Sequence, residues 1–210
     1  MTNELTLLIP LVLVASLLSI SVSWWLALVS LWVVHVLLAA WLWLVATPEL
    51  ALAKAITGTT VVILLYPSMR TLFATTESGE ERRQARRLLD LTGPRVADEP
   101  FMLLGALLAA AAAIVVSQAF PLVEGASNFA WYWLALLGLL LIVLSRDVVR
   151  IGLGLLLLVN AVDLVDTMVS RNQGLIAIGA RSTVAIGLAL ALGLSWTFLR
   201  ARGSRLAGGG

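Results

Sequence analysis

Cysteine is absent from the 210 residues, histidine occurs once, at His35, and lysine once, at Lys54. Without thiols the chain cannot ligate an iron–sulfur cluster, form a disulfide or carry thiol chemistry, and one imidazole leaves no ordinary haem or zinc site. No cofactor and no metal are therefore expected. Charge is scarce as well: 12% of the residues are charged, against about 25% in soluble domains. The only long polar stretch is roughly 30 residues, too short to build a core of its own. The opening "MTNE" lacks the basic region of a signal peptide, so the first apolar run is read as a retained helix. Catalytic patterns are missing too. "GLG" at 152–154 has no strand–turn–helix context for a nucleotide, and no Ser/His/Asp set or metal spacing occurs. The chain is not expected to be an enzyme.

What is present is apolar. Hydrophobic residues make up 60% of the chain, its mean hydropathy is +1.01, and runs long enough to cross a bilayer recur along it. They predict an all-α, polytopic membrane protein of about seven spans, near 5–22, 24–46, 49–67, 101–122, 130–145, 149–169 and 174–199. Trp24, Trp25, Trp41, Trp43, Trp131, Trp133 and Trp196 fall near span ends, where interfacial anchors sit. Seven spans place Arg70, Arg82, Arg83, Arg86, Arg87, Arg95, Arg146, Arg150, Arg200, Arg202 and Arg205 on one side. The loops of the other side hold Arg171 alone, with Glu4, Glu49 and Glu124. By the positive-inside rule the N-terminus lies outside and the C-terminus in the cytoplasm. The pI near 9.7 thus reports topology, and no nucleic-acid partner is expected. The expected location is the inner membrane of a prokaryotic cell.

Two charged regions stand out. In the linker 68–100, "EERRQARRLLDL" repeats Arg82/Arg86 and Arg83/Arg87 at i,i+4, a repulsion that a partner subunit or anionic lipid would relieve. A solvated helix on the headgroups is the equal alternative. The second region lies at membrane depth: His35, Lys54, Asp163, Asp166 and Arg181. Such groups cost about 2.5–3.5 kcal/mol each at a span centre, which makes them functional candidates by default. The bland readings are a carbonyl-bonded His35, a snorkelling Lys54, an Asp166 that reaches water, and a structural ion pair of Asp163 with Arg181. The tip of the last hairpin lies near Asn172, nine residues from each member of that pair. Antiparallel helices then set both at one depth, roughly 10–13 Å from the outer end. The arithmetic predicts that they face each other, or meet through a water or one intervening polar group, with Lys54 a candidate to compete for the same carboxylate.

Two stretches resemble known families. "ATPELALAKAITGTTVVILL" (46–65) resembles the third helix of the small module ending the large Mrp antiporter subunit, which recurs as the D subunit of membrane-bound hydrogenases. Pro48, Glu49, Ala51, Leu52, Ala55 and Gly58 fit its pattern, and Lys54 stands where the family has an acid. "SRDVVRIGLGLLLLVNAVDLV" (145–165) is similar to the Mrp C subunit and the K-type subunit of complex I. Gly154, Leu155, Leu157, Asn160, Ala161, Val162 and Leu164 fit, Asp163 replaces an Asn, and Leu156 and Thr183 stand at the two complex I carboxylates. "AFPLVEGAS" (119–127) weakly resembles an E-type segment.

The resemblance implies a fusion with five parts: a D-type three-helix module (1–67), the cytoplasmic linker (68–100), an E-type helix and outer loop (101–129), a C/K-type three-helix module (130–200) and a tail (201–210). The implied function is a membrane subunit of an Mrp-type cation/proton antiporter or related ion-translocating complex. It would line an ion or proton path beside a large antiporter-like subunit, among other membrane subunits. The path candidates are His35, Lys54, Thr57, Asn160, Asp163, Arg181 and Thr183. A purely structural docking subunit, or a membrane adaptor of a hydrogenase or inorganic-carbon uptake complex, is the alternative.

Overall fold

A computed structural model describes residues 14–15, 24–45, 47–74, 99–122, 126–145, 148–169 and 175–207. Among them are six helices and no strand: α1 (Trp24–Val45), α2 (Pro48–Ala74), α3 (Glu99–Ala119), α4 (Ala126–Leu144), α5 (Val148–Val169) and α6 (Leu175–Ala207). The expected first span lies outside the described residues apart from Val14 and Ala15, which are helical. Arg82, Arg83, Arg86 and Arg87 also lie outside them.

Four helices are long and apolar enough to cross a membrane, through Trp25–Leu44, Pro48–Arg70, Met102–Ala119 and Arg181–Phe198. A shorter apolar stretch, Asn128–Leu144, lies in α4. The 22 residues of α5 rise about 33 Å, enough for a hydrocarbon core of about 30 Å, but Arg150, Asp163 and Asp166 interrupt its apolar character. Outward-facing side chains are large and apolar, as at Leu107, Val143, Leu194 and Phe198, each about two-thirds exposed. That surface suits lipid or protein and not water, and it is compatible with a multi-pass membrane protein.

Local signals place the ends of α2. Thr47 caps it: its hydroxyl accepts from the Leu50 N–H at 3.5 Å and its carbonyl from the Ala51 N–H at 3.2 Å. Pro48 takes the first helical position, where a missing N–H costs nothing. The helix then runs beyond the expected end at residue 67, through Pro67 to Ala74. Pro67 cannot donate to the Ile63 carbonyl. The helix nevertheless continues through it, with Leu65, Ser68 and Met69 buried beside it.

Neighbouring helices pair as hairpins. Trp32 Nε1 donates to Thr59 Oγ1 at 3.3 Å, and Trp25 meets Tyr66 edge-on at 6.2 Å, so α1 and α2 run antiparallel. Asn128 fastens the turn from α3 to α4: its Oδ1 accepts from Leu122 N–H and Trp131 Nε1, each at 3.2 Å, and its Nδ2 donates to the Ser117 carbonyl at 2.5 Å. Between α4 and α5 the backbones touch. A Cβ on Gly138 would stand 2.7 Å from the Gly154 carbonyl oxygen, and one on Gly154 2.6 Å from that of Gly138. Only glycine permits this crossing.

The remaining contact joins the two halves of the chain. α6 packs along α2 and touches α5 more lightly. Thr57 meets Ser182, and Ser68 meets Gly193 eleven residues further along both helices. α2 and α6 are therefore parallel. The spatial order is α1, α2, α6, α5, α4, α3, a row of helices in which the second half docks onto the first.

Three tryptophans expected as interfacial anchors are core residues instead. Trp41, Trp133 and Trp196 are 4%, 2% and 0% exposed. Their indole N–H groups have no hydrogen-bond partner among the described residues. Their bulk fills space left by small residues; Trp196, for example, lies against Gly152. Trp25 and Trp43 are more than half exposed, as anchors are. Trp131 is tied into the α3–α4 turn.

Candidate functional site

The polar residues of α2, α5 and α6 converge at one level. Lys54 lies six residues after the start of α2, Asp163 six before the end of α5, and Arg181 six after the start of α6. Six residues of helix are about 9 Å, so all three sit about 9 Å inside the same end of the row. The depth follows from sequence spacing. The meeting follows from α6 lying between α2 and α5.

Asp163 is the hub. Its Oδ2 accepts a hydrogen bond from Lys54 Nζ, and its Oδ1 pairs with Arg181 NH1 at 3.3 Å. The same guanidinium nitrogen donates to Thr167 Oγ1 at 2.9 Å, and Arg181 Nε faces Asp166 Oδ2 at 3.3 Å. Thr167 spends its own proton on the Asp163 carbonyl at 2.6 Å. Lys54 is 8% exposed, Asp163 and Arg181 18%, and Asp166 45%. Two cations and two carboxylates thus sum to zero formal charge, with the outermost carboxylate reaching the surroundings. Neutrality is what allows charges to persist where a lone one is costly.

On the α2–α6 side, Thr57 Oγ1 lies 2.7 Å from the Ala53 carbonyl and 2.8 Å from Ser182 Oγ. One hydroxyl carries one proton. With that proton on the carbonyl, Thr57 accepts from Ser182. Lys54, Thr57, Asp163, Thr167, Arg181 and Ser182 line a partly open cavity of about 20 Å³, measured as room for the centre of a water, together with Leu42, Leu50, Val159 and Ala185. One water needs about 10–15 Å³ on this measure. Further along the α2–α6 seam, Val61, Leu65 and Ala189 are fully buried and apolar.

The sequence candidates divide accordingly. Lys54, Thr57, Asp163 and Arg181 come together, and Asp163 and Arg181 face each other as the hairpin arithmetic predicts. Lys54 does not snorkel; it turns inward to the shared carboxylate. His35, 1% exposed, bonds the Leu31 carbonyl through Nδ1 at 2.9 Å and packs under Gly58, where a Cβ would overlap its own. Asn160, 2% exposed, donates to the Leu156 carbonyl at 2.9 Å. Both are satisfied within their own helices, and neither lines the cavity. Thr183 is exposed on α6, pointing away from the cavity that its neighbour Ser182 lines. Ser182 and Thr167 are the members that sequence reasoning missed. The signal for Thr167 was its place one turn after Asp163. Ser182 carried none, because which face of α6 turns inward is set by α2.

Among the described residues no three His, Cys, Asp or Glu side chains gather as a metal site requires. Comparison with protein-family models, curated proteins and solved structures finds no match for this chain.

Proposed function

We propose that this protein is a membrane subunit of an Mrp-type cation/proton antiporter or related ion-translocating complex, and that it lines part of an ion or proton path beside a large antiporter-like subunit. The observation that carries this reading is the neutral Lys54–Asp163–Arg181–Asp166 cluster around a water-sized cavity. Relay of an ion or proton at membrane depth needs compensated charges, hydroxyls and room for water, and the cluster has each. The D-like and K-like motifs supply Lys54 and Asp163 respectively, so the two resemblances meet in one contact.

Seven spans, an outer N-terminus and a cytoplasmic C-terminus belong to the same proposal. Parallel α2 and α6 demand an odd number of crossings between them, and α3, α4 and α5 are three. The arginine asymmetry sets the hand. The polar cluster then lies toward the outer surface of a prokaryotic inner membrane.

A structural subunit is the second reading. Favouring it, Val61, Leu65 and Ala189, further along the α2–α6 seam, are buried and apolar, and Leu156 and Thr183 stand where complex I has carboxylates. Lys54→Arg in the intact complex separates the two. Arginine keeps the charge and the pairing but does not surrender a proton. A path role predicts normal assembly with lost cation/proton exchange in inverted membrane vesicles. Exchange at the wild-type rate removes Lys54 from the path and leaves the structural role.

A further inference from the structure

We infer that the cavity between α2, α5 and α6 is a binding site for one water molecule, held between the Lys54 ammonium and the Ser182 hydroxyl. The ammonium demands it. Lys54 carries three N–H donors, is 8% exposed, and has one hydrogen-bond partner among the described residues, the Asp163 carboxylate. Two donors of this nearly buried cation, which lines the cavity, are left without an acceptor among the described residues. A buried donor without an acceptor is costly, more so when charged, and ordered water is the usual remedy.

The other walls offer what such a water needs. Thr57 and Thr167 spend their protons on backbone carbonyls, so their oxygens present lone pairs. Ser182 Oγ shares a hydrogen bond with Thr57 Oγ1 at 2.8 Å and lines the cavity, so its hydroxyl keeps a lone pair for a water. A water can accept from Lys54 and donate to Ser182 Oγ and to Asp163, giving it the two to four polar partners that a buried water has. About 20 Å³ admits one such molecule. The apolar walls, Leu42, Leu50, Val159 and Ala185, give a second one nothing to bond.

With the water in place a single string of hydrogen bonds joins three helices: Asp166, Arg181, Asp163, Lys54, water, Ser182, Thr57. Water thereby couples α2 to α6 at the level where α5 already grips both. The string ends at Thr57, because Val61, Leu65 and Ala189 offer no polar group beyond it. Only the use of this string as a relay rests on the proposed transport role. The bound water itself does not.

Crystals of the full chain grown from lipidic mesophase, at a resolution that shows ordered water, test the site. They are grown once in sodium and once in choline salts. One peak is expected in both, about 2.7–3.2 Å from Lys54 Nζ and from Ser182 Oγ. An empty cavity overturns the inference. So does a peak that appears only in sodium with Lys54 drawn off Asp163, because the site would then be a cation site. Ser182→Val removes the acceptor and fills the space, and the peak should vanish; its persistence there is equally fatal. The measurement involves no transport, so a missing water and a non-transporting complex are separate failures.

Discussion

At the scale of single residues, Asp163 decides the electrostatics of the protein. It pairs with two cations, Lys54 and Arg181, and is mostly buried with them. Asp163→Asn takes from Lys54 and Arg181 the carboxylate they share, a broken buried pair of the kind that costs about 3–5 kcal/mol. Lys54→Met should cost less, because Arg181 still compensates the carboxylate. Thermal unfolding of the purified full chain in lipid–detergent micelles checks the order, and equal losses would contradict it. The double variant should show coupling of about 0.5–3 kcal/mol, as residues in one ion-pair network do. Gly58 is the second sensitive position. Its missing side chain is the seat of His35, so Gly58→Ala should destabilise by about 1–3 kcal/mol through overpacking. Adding His35→Ala should restore part of that loss. No restoration would mean that the strain lies elsewhere.

At the scale of helices, close backbone approach does what a hydrophobic driving force cannot do between elements that are equally at home in lipid. The α4–α5 crossing rests on Gly138 and Gly154, each against the other's carbonyl. Either glycine changed to Val should force the pair apart and expose the loosened α4–α5 hairpin to protease. Gly187 gives the contrast. Nothing lies within 4 Å of a Cβ built there, so Gly187→Ala should be neutral, or stabilising by up to about 1 kcal/mol from helix propensity. Similar protease sensitivity in the two variants would remove the packing explanation. The contact of α6 with α2 is different in kind: small and polar residues, Thr57, Ser68, Ser182 and Gly193, let two parallel helices lie close.

At the scale of the whole molecule, the absence of cysteine provides a clean background for mapping orientation. Single substitutions Asn3→Cys and Asn172→Cys should react with a membrane-impermeant maleimide added outside intact spheroplasts. Ser78→Cys and Ser204→Cys should react only after the membrane is opened. Labelling of all four from one side would overturn the seven-span topology. The broad apolar surface and the half-exposed Asp166 also predict that the chain is a poor solitary protein. It should aggregate when made alone and, as the proposed subunit role requires, become monodisperse when made with the other subunits of its complex. A stable, monodisperse solitary chain would count against an obligate subunit.

Sequence by itself pointed to an apolar surrounding, gave the helical class and set the spacing that puts Lys54, Asp163 and Arg181 at one level. Those are local properties. In a bilayer the backbone must bond within its own segment, so apolar length alone reports a helix, and rise per residue converts position into depth. That is why the meeting of Asp163 with Arg181, on the two consecutive helices α5 and α6, was legible from the spacing around Asn172. Only the tertiary structure decided which face of each helix turns inward. A helix that is apolar nearly all round carries no periodicity to point its packed side. Hence Trp41, Trp133 and Trp196 read as anchors and are core, Thr183 read as inward and is exposed, and Ser182 beside it gave no sign of its place. The contact of α2 with α6 joins residues more than a hundred positions apart, as Thr57 and Ser182 are. Nothing in either segment names the other. Close packing of small residues and the sharing of one carboxylate by two cations brought them together.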